Sequence, residues 1–470
     1  MIASRTFEVG DQSAFAELSG DSNPLHVDAV AARRTSFGRP VVHGIHLVSW
    51  ALDVACAEIV GACTLASLRA IFKQPVRLGE MVRCDLTLTE DGALSAVLDV
   101  GERVVLRLSA TLTPGAGAAV SPADERPAIP CRDLTFDEAA RSAGDLPLAL
   151  DSVTATRLFP SLSSRVGRIQ LAELFALTRL VGMDCPGLHS TFAEVDIHAA
   201  SETSAAPTLA YSVEHAEPRF SVLRLAVKGP TLRGMLKATY RPPPQIQARA
   251  SELARLVSPG ELAAQRVLVV GGSRGLGEVA AKLAGVAGAD VVLTYHRGSD
   301  DAARVAEDVR AAGGRCRAIA FDVTAPPADL ALSLGEGWTP THLHYFATPF
   351  IAVDNPREFS AEKFATFCSY YVDGLYRTLR AIRALGTAPL AVLYPSTVFL
   401  DEPLAGAAEY CAAKAAGETL CHHLALLFEG TRFETPRLPR MRTDQTLSLL
   451  HVAAELPDAI ILEAIRRLGA

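Results

Sequence analysis

SGDSNPLHVD, Ser19 to Asp28, followed by RPVVHG, Arg39 to Gly44, sets a carboxylate and an imidazole, Asp21 and His26, on one short segment. The Asn23-Pro24 step between them favours a turn or extended backbone over helix, so the segment reads as a loop. A carboxylate and an imidazole held together on a loop can work on a proton and a water molecule. After Gly44 the run IHLVSWALDVACAEIVG, Ile45 to Gly61, has no interior proline and reads as a buried helix. The first amides of such a helix are unpaired donors at the positive end of its dipole. A thioester carbonyl placed against them would have its oxyanion stabilised. Taken singly, Asp21 has an ordinary use as a helix cap or turn residue, and His43 and His46 as helix-start residues with satisfied hydrogen bonds.

The combined string resembles the hydratase 2 motif of MaoC-like hotdog proteins, the (R)-specific enoyl-thioester hydratases and dehydratases, over residues 1–115. That resemblance implies that Asp21 and His26 hold and activate the water, that the amide at Gly44 binds the thioester carbonyl, and that Asn23 shapes the loop. It continues into FKQPVRLGE, Phe72 to Glu80, which is similar to the family's strand after the central helix.

A chain of 470 residues is too long for one core and divides into about three domains. A hydrophobic share of 49% with 21% charged residues describes a soluble globular enzyme, and a net charge of −7 gives no basic footprint for nucleic acid. No membrane span or signal peptide is visible, which places the protein in the cytoplasm. Nine cysteines without CxxC pairs argue against a disulfide framework and against a metal site. Cys411, next to a motif tyrosine, is the one that chemistry could reach.

Two linkers break the chain, PGAGAAVSPADERPAIP at Pro114 to Pro130 and RPPPQIQARASE at Arg241 to Glu252. Three units follow: 1–115, 130–242 and 260–470. The middle one has a helical stretch, IQLAELFALTRLVGMDCPGLHS, Ile169 to Ser190, and then strand-like segments. It resembles a second hotdog domain without its own dyad, which makes the first half of a double hotdog the catalytic one. His189 has no carboxylate at motif spacing and reads as structural.

RVLVVGGSRGLGEVAAKLAG, Arg266 to Gly285, passes from a buried strand through a glycine-rich turn into a helix. Gly271, Gly275 and Gly277 permit the tight turn and let backbone amides, with Ser273, approach a pyrophosphate. Strand-like DVVLTYHRG and AIAFDVTAP follow at α/β spacing. Tyr410 and Lys414 in EYCAAK are one helical turn apart, so the ammonium can lower the pKa of the phenol. Ser396 in YPSTVFL lies at a strand end.

These features resemble the short-chain dehydrogenase/reductases, particularly the 3-oxoacyl-thioester reductases. The resemblance implies that Asp322 contacts adenine and that Tyr410, Lys414 and Ser396 serve the substrate carbonyl while a nicotinamide delivers hydride. The second strand ends in Tyr295, His296 and Arg297 instead of an acidic residue, and with Arg274 this favours a 2′-phosphate and NADPH. The chain departs from the family at Phe346, Ala347 and Thr348, where Asn-Ala-Gly is usual, and near Tyr370 or Tyr371, where a relay asparagine is usual. LPRMRTDQT, Leu438 to Thr446, leaves little room for the family's last strand.

The expected fold is therefore an α+β double hotdog followed by an α/β doubly wound Rossmann-type domain. The expected enzyme is a homo-oligomer, dimer or tetramer, that reduces 3-oxoacyl thioesters of CoA or acyl carrier protein with NADPH and dehydrates the (R)-3-hydroxy product. Two alternatives stay open: the same chemistry in the β-oxidation direction, and a hydratase with a non-catalytic reductase-like module.

Overall fold

The computed structural model describes residues 1–470 except 116–119, 126, 201–205, 327–329, 352–357, 387, 447–452 and 470. The chain folds into two compact units that part between Pro243 and Pro244.

The first unit is built on a ten-stranded antiparallel sheet. Strands β1 (Ile2–Thr6), β2 (Cys63–Phe72), β3 (Met81–Leu88), β4 (Ala93–Val100) and β5 (Arg103–Pro114) form one half. Strands β6 (Ala143–Pro147), β7 (Ser190–Ala199), β8 (Thr208–Glu217), β9 (Val222–Lys228) and β10 (Leu232–Tyr240) form the other. The spatial order β1-β3-β4-β5-β2-β7-β10-β9-β8-β6 repeats one pattern in mirrored sequence about the β2–β7 pair. There Leu68 lies opposite Ile197 and Ala70 opposite Val195, all four buried. Alternation of exposed and buried residues along β3 is what a sheet with one wet face requires.

Each half has a helix against the buried face: α1 (Gly44–Cys56) in the first, α2 (Arg168–Arg179) in the second. Both are buried nearly all round, which a surface helix could not be, and their side chains join one apolar core spanning both halves. The segment Phe72–Glu80, expected as a strand, instead holds only the last residue of β2 and then the turn leading to β3.

The second unit has a six-stranded parallel sheet. In spatial order its strands are Arg315–Ala320, Asp290–Tyr295, Arg266–Val270, His342–Tyr345, Leu390–Leu393 and Thr431–Glu434. Val267 to Val270 are all buried, because helices cover both faces of such a sheet. Sequence order runs outward in both directions from Arg266–Val270. The crevice between that strand and His342–Tyr345 is therefore the switch point at which doubly wound sheets bind ligands. Among the described residues no helix is long and apolar enough to cross a membrane.

Candidate active sites

Gly20, left-handed at φ 75°, ends the helix Val9–Ser19 and releases the chain into the Asp21 loop. The Ser19 hydroxyl accepts from the Asp21 amide at 3.2 Å, and Asn23 caps the short turn Pro24–Val27 by accepting from the Leu25 amide at 3.0 Å. Asn23 Nδ2 also donates to the carbonyls of Gly182 (2.7 Å) and Gly187 (3.1 Å), so the loop is tied to the second half of the sheet.

Asp21 is buried, and its Oδ2 accepts a 2.7 Å hydrogen bond from the hydroxyl of Thr178, near the end of α2. A hydrogen bond of this charge-assisted kind is worth about 1.5–3 kcal/mol. Immediately beyond α2 the chain widens into a π-type turn, Leu180–Asp184, of a sort that often marks functional sites. Gly182 in that turn lies so close that any Cβ there would collide with the Asp21 carboxylate.

His26 donates from Nδ1 to the Val41 carbonyl at 2.7 Å, because a carbonyl can only accept, and this leaves Nε2 as its basic nitrogen. His43, which precedes α1, donates from Nε2 to the Asp21 carbonyl at 2.9 Å and stacks on His26 with ring centroids 3.8 Å apart. Asp21, His26 and His43 each bring one polar atom within 4.8 Å of the others. Burial pushes the Asp21 carboxyl up and holds both imidazoles below the ordinary histidine range. Because His43 immediately precedes Gly44, the opening amides of α1 lie beside the pair. A Cβ on Gly44 would press into the Phe72 ring at 2.7 Å.

The ordinary use of His43 and His46 as helix-start residues with satisfied hydrogen bonds fits His43 in part, through its bond to the Asp21 carbonyl, and does not fit His46. Both ring nitrogens of buried His46 and Nδ1 of His43 lack hydrogen-bond partners among the described residues. His46 is packed by aromatic rings instead, with Phe15 stacked on it at 4.4 Å and Phe7 edge-on at 4.8 Å. His189 has a partner that spacing did not reveal, Asp133 at 3.0 Å. Cys411 is only partly buried, and its surroundings push the thiol up, away from reactivity.

In the second unit Gly271 (φ 81°) closes the strand Arg266–Val270 and meets the Phe346–Ala347 backbone without room for a Cβ. Gly275 (φ 59°) opens the helix Gly275–Val286, and a Cβ on Gly277 would strike the Gly271 carbonyl. This cradle, with Ser273 buried within it, fits a dinucleotide pyrophosphate at a helix N-terminus. Arg274 is engaged by Asp444, Nη1 to Oδ2 3.7 Å, and Asp322 is paired with His296 at 3.2 Å. Arg297 is exposed beside that pair.

Tyr410 and Lys414 lie on the helix Ala408–Leu427 as spacing predicts, but their charges are not coupled as expected. Burial pushes the Tyr410 phenol up to about 12 and the Lys414 ammonium down to about 7. Ser396, at the start of the short strand Ser396–Thr397, is buried, and its hydroxyl has no hydrogen-bond partner among the described residues.

Comparison with known proteins follows this division. A family model described as MaoC like domain matches residues 2–106, and one described as short chain dehydrogenase matches residues 265–332. An (R)-specific enoyl-CoA hydratase of Aeromonas caviae is 36% identical over 87 residues, 18% of this chain and 65% of that protein. A 3-hydroxybutyryl-CoA dehydratase of Methylorubrum extorquens is 30% identical over 112 residues, 22% of this chain and 71% of that protein. The chain thus spans about two thirds of the length of these relatives, which cover only its first part. Among solved structures, a 3-oxoacyl (acyl-carrier-protein) reductase from Agrobacterium tumefaciens with NADP bound shares 20% identity. That likeness covers 44% of this chain and 88% of the other, with a TM-score of 0.39.

Proposed function

The chain belongs, through its first hotdog, to the MaoC-like dehydratase family, and on that premise we propose that it interconverts (R)-3-hydroxyacyl and trans-2-enoyl thioesters at Asp21 and His26. The observation that carries this reading is the buried carboxylate set beside an imidazole whose Nε2 has no hydrogen-bond partner among the described residues, both next to the first amides of α1. In dehydration His26 Nε2 takes the proton next to the carbonyl, and the amides at Gly44 stabilise the enolate oxygen. The Asp21 carboxyl serves the departing hydroxyl, which leaves as water. Hydration reverses these roles. Residues 1–115 provide the dyad, 130–242 a half without one, and 260–470 a reductase.

For that last part we propose reduction of 3-oxoacyl thioesters. Gly271, Ser273, Gly275 and Gly277 would cradle the pyrophosphate, Asp322 would border the adenine, and Arg297 would meet a 2′-phosphate. Because Arg274 is engaged by Asp444, the preference for NADPH rests mainly on Arg297. Bound there, the dinucleotide would supply hydride. Tyr410 would give its proton to the carbonyl oxygen, which Ser396 would hydrogen-bond, with Lys414 one turn along. The carrier, CoA or acyl carrier protein, and a homo-oligomeric state belong to this proposal, as does a cytoplasmic location.

The test of the lyase reading is hydration of a short trans-2-enoyl-CoA followed by chiral analysis of the product. The expected result is loss of the enoyl absorbance with the (R)-3-hydroxy thioester as product. Formation of the (S)-product, or no hydration, would overturn it.

A further inference from the structure

Lys414 is buried, and its ammonium is held in a way the reductase reading does not use. Nζ donates to the Pro395 carbonyl at 2.7 Å and lies over two aromatic faces, Tyr371 at 4.0 Å and Tyr394 at 4.9 Å from the ring centroids. Both rings are themselves buried. Tyr371 sits in a π-type turn, Ser369–Gly374, and its hydroxyl is tied to Thr348 Oγ1 at 2.6 Å. Phe367 stacks on its ring at 5.8 Å, and Tyr410 meets it edge-on at 5.9 Å. Tyr394 donates to the Tyr371 carbonyl at 3.3 Å. Gly417 makes room for that phenol, because a Cβ there would collide with it.

An ammonium removed from water is favoured when it faces the negative side of an aromatic ring, and the effect grows as the site dries. No carboxylate pairs with Lys414 among the described residues at ion-pair distance. The groups that bear on its charge are Glu418 and Cys421 of its own helix, with the rings of Tyr371 and Tyr394 from neighbouring elements. The π-type turn and the Thr348 bond both act on Tyr371, and they set its ring flat against the ammonium.

We propose that Tyr371 is a positioning residue of the reductase site, whose ring face, with that of Tyr394, holds the Lys414 ammonium charged and in place one turn from Tyr410. This rests on the reading of Tyr410 and Lys414 as the reductive pair. It assigns the work to the ring face, with the Tyr371 hydroxyl serving only to orient the ring through Thr348.

The test is the titration of Lys414 followed by NMR of its labelled side chain, assigned with Lys414→Arg, in the full chain and in Tyr371→Phe and Tyr371→Leu. Melting curves establish that each variant is folded. Tyr371→Leu removes the ring and should lower the Lys414 pKa by one unit or more, with a matching displacement of the pH profile for 3-oxoacyl thioester reduction. Tyr371→Phe keeps the ring and should restore most of the titration. An unchanged titration in Tyr371→Leu, or an equal displacement in Tyr371→Phe, would overturn the proposal. If the wild-type chain reduces no 3-oxoacyl thioester, the reductase reading fails, while the titration still judges the aromatic hold on Lys414.

Discussion

Asp21→Asn is expected to slow hydration of an enoyl thioester by on the order of 10³-fold, within the range that a positioned acid or base contributes. The amide keeps the size of the carboxyl and can still accept from Thr178, so the loop and its ties to Gly182 should survive. What it loses is the ability to exchange a proton with water. The wild-type pH profile follows from the same environment. Burial raises the Asp21 carboxyl above the ordinary carboxylate range, so hydration, which needs the carboxylate, falls away as pH drops through that raised value. In hydration His26 must hand a proton to the carbon next to the carbonyl, and burial, which holds its imidazole low, works against that protonated form as pH rises. A steady-state assay across pH, with melting curves to confirm folding, checks both points. An Asp21→Asn enzyme with more than a tenth of wild-type turnover would contradict the assignment.

Tyr410→Phe is expected to lower NADPH-dependent reduction by roughly 10²-fold or more while leaving hydration at the first unit unchanged. The phenol, pushed up to about 12 by burial, keeps its proton throughout the physiological range and can donate it only as the carbonyl oxygen gains charge. Burial pushes the Lys414 ammonium down to about 7, so the charged form is favoured below that value and lost above it. The reduction profile should therefore decline as pH rises past 7. Ser396→Ala should reproduce part of the loss and Thr397→Val much less, because the buried Ser396 hydroxyl has no partner among the described residues, whereas that of Thr397 accepts from the Phe399 amide at 3.3 Å. Initial rates of NADPH consumption measure all three variants.

Much of this was legible in the chain, and the parts that were not share a physical origin. The loop carrying Asp21 and His26 and the turn at Gly271, Gly275 and Gly277 are local. Their chemistry lies within a few residues, and the spacing that makes a turn or a helix start is written in the sequence. The ties that hold Asp21 are not local. Thr178 lies 157 residues away and reaches the carboxylate because β2 pairs with β7 and because α2 ends there. A threonine in an apolar helix carries no mark of such a role, and neither does the glycine at position 182.

The Tyr410 and Lys414 spacing correctly put both side chains on one helix, but spacing says nothing about burial. Burial is what moved their pKa values in opposite directions. Nor could spacing show that Ser396 is buried with a hydroxyl that no described residue engages. Arg274 was read as a phosphate ligand on position alone. Its pairing with Asp444 depends on a segment far along the chain that folds back to the glycine turn.

The central claim is that one chain carries two steps on a shared (R)-3-hydroxyacyl intermediate. The most direct measurement supplies a 3-oxoacyl thioester and NADPH to the purified full chain and follows NADPH loss and enoyl formation together, with Asp21→Asn in parallel. The account predicts that the wild type consumes NADPH and then forms the trans-2-enoyl thioester, whereas Asp21→Asn consumes NADPH and stops at the (R)-3-hydroxy stage. Absence of NADPH consumption by the wild type, or enoyl product persisting in Asp21→Asn, would contradict it.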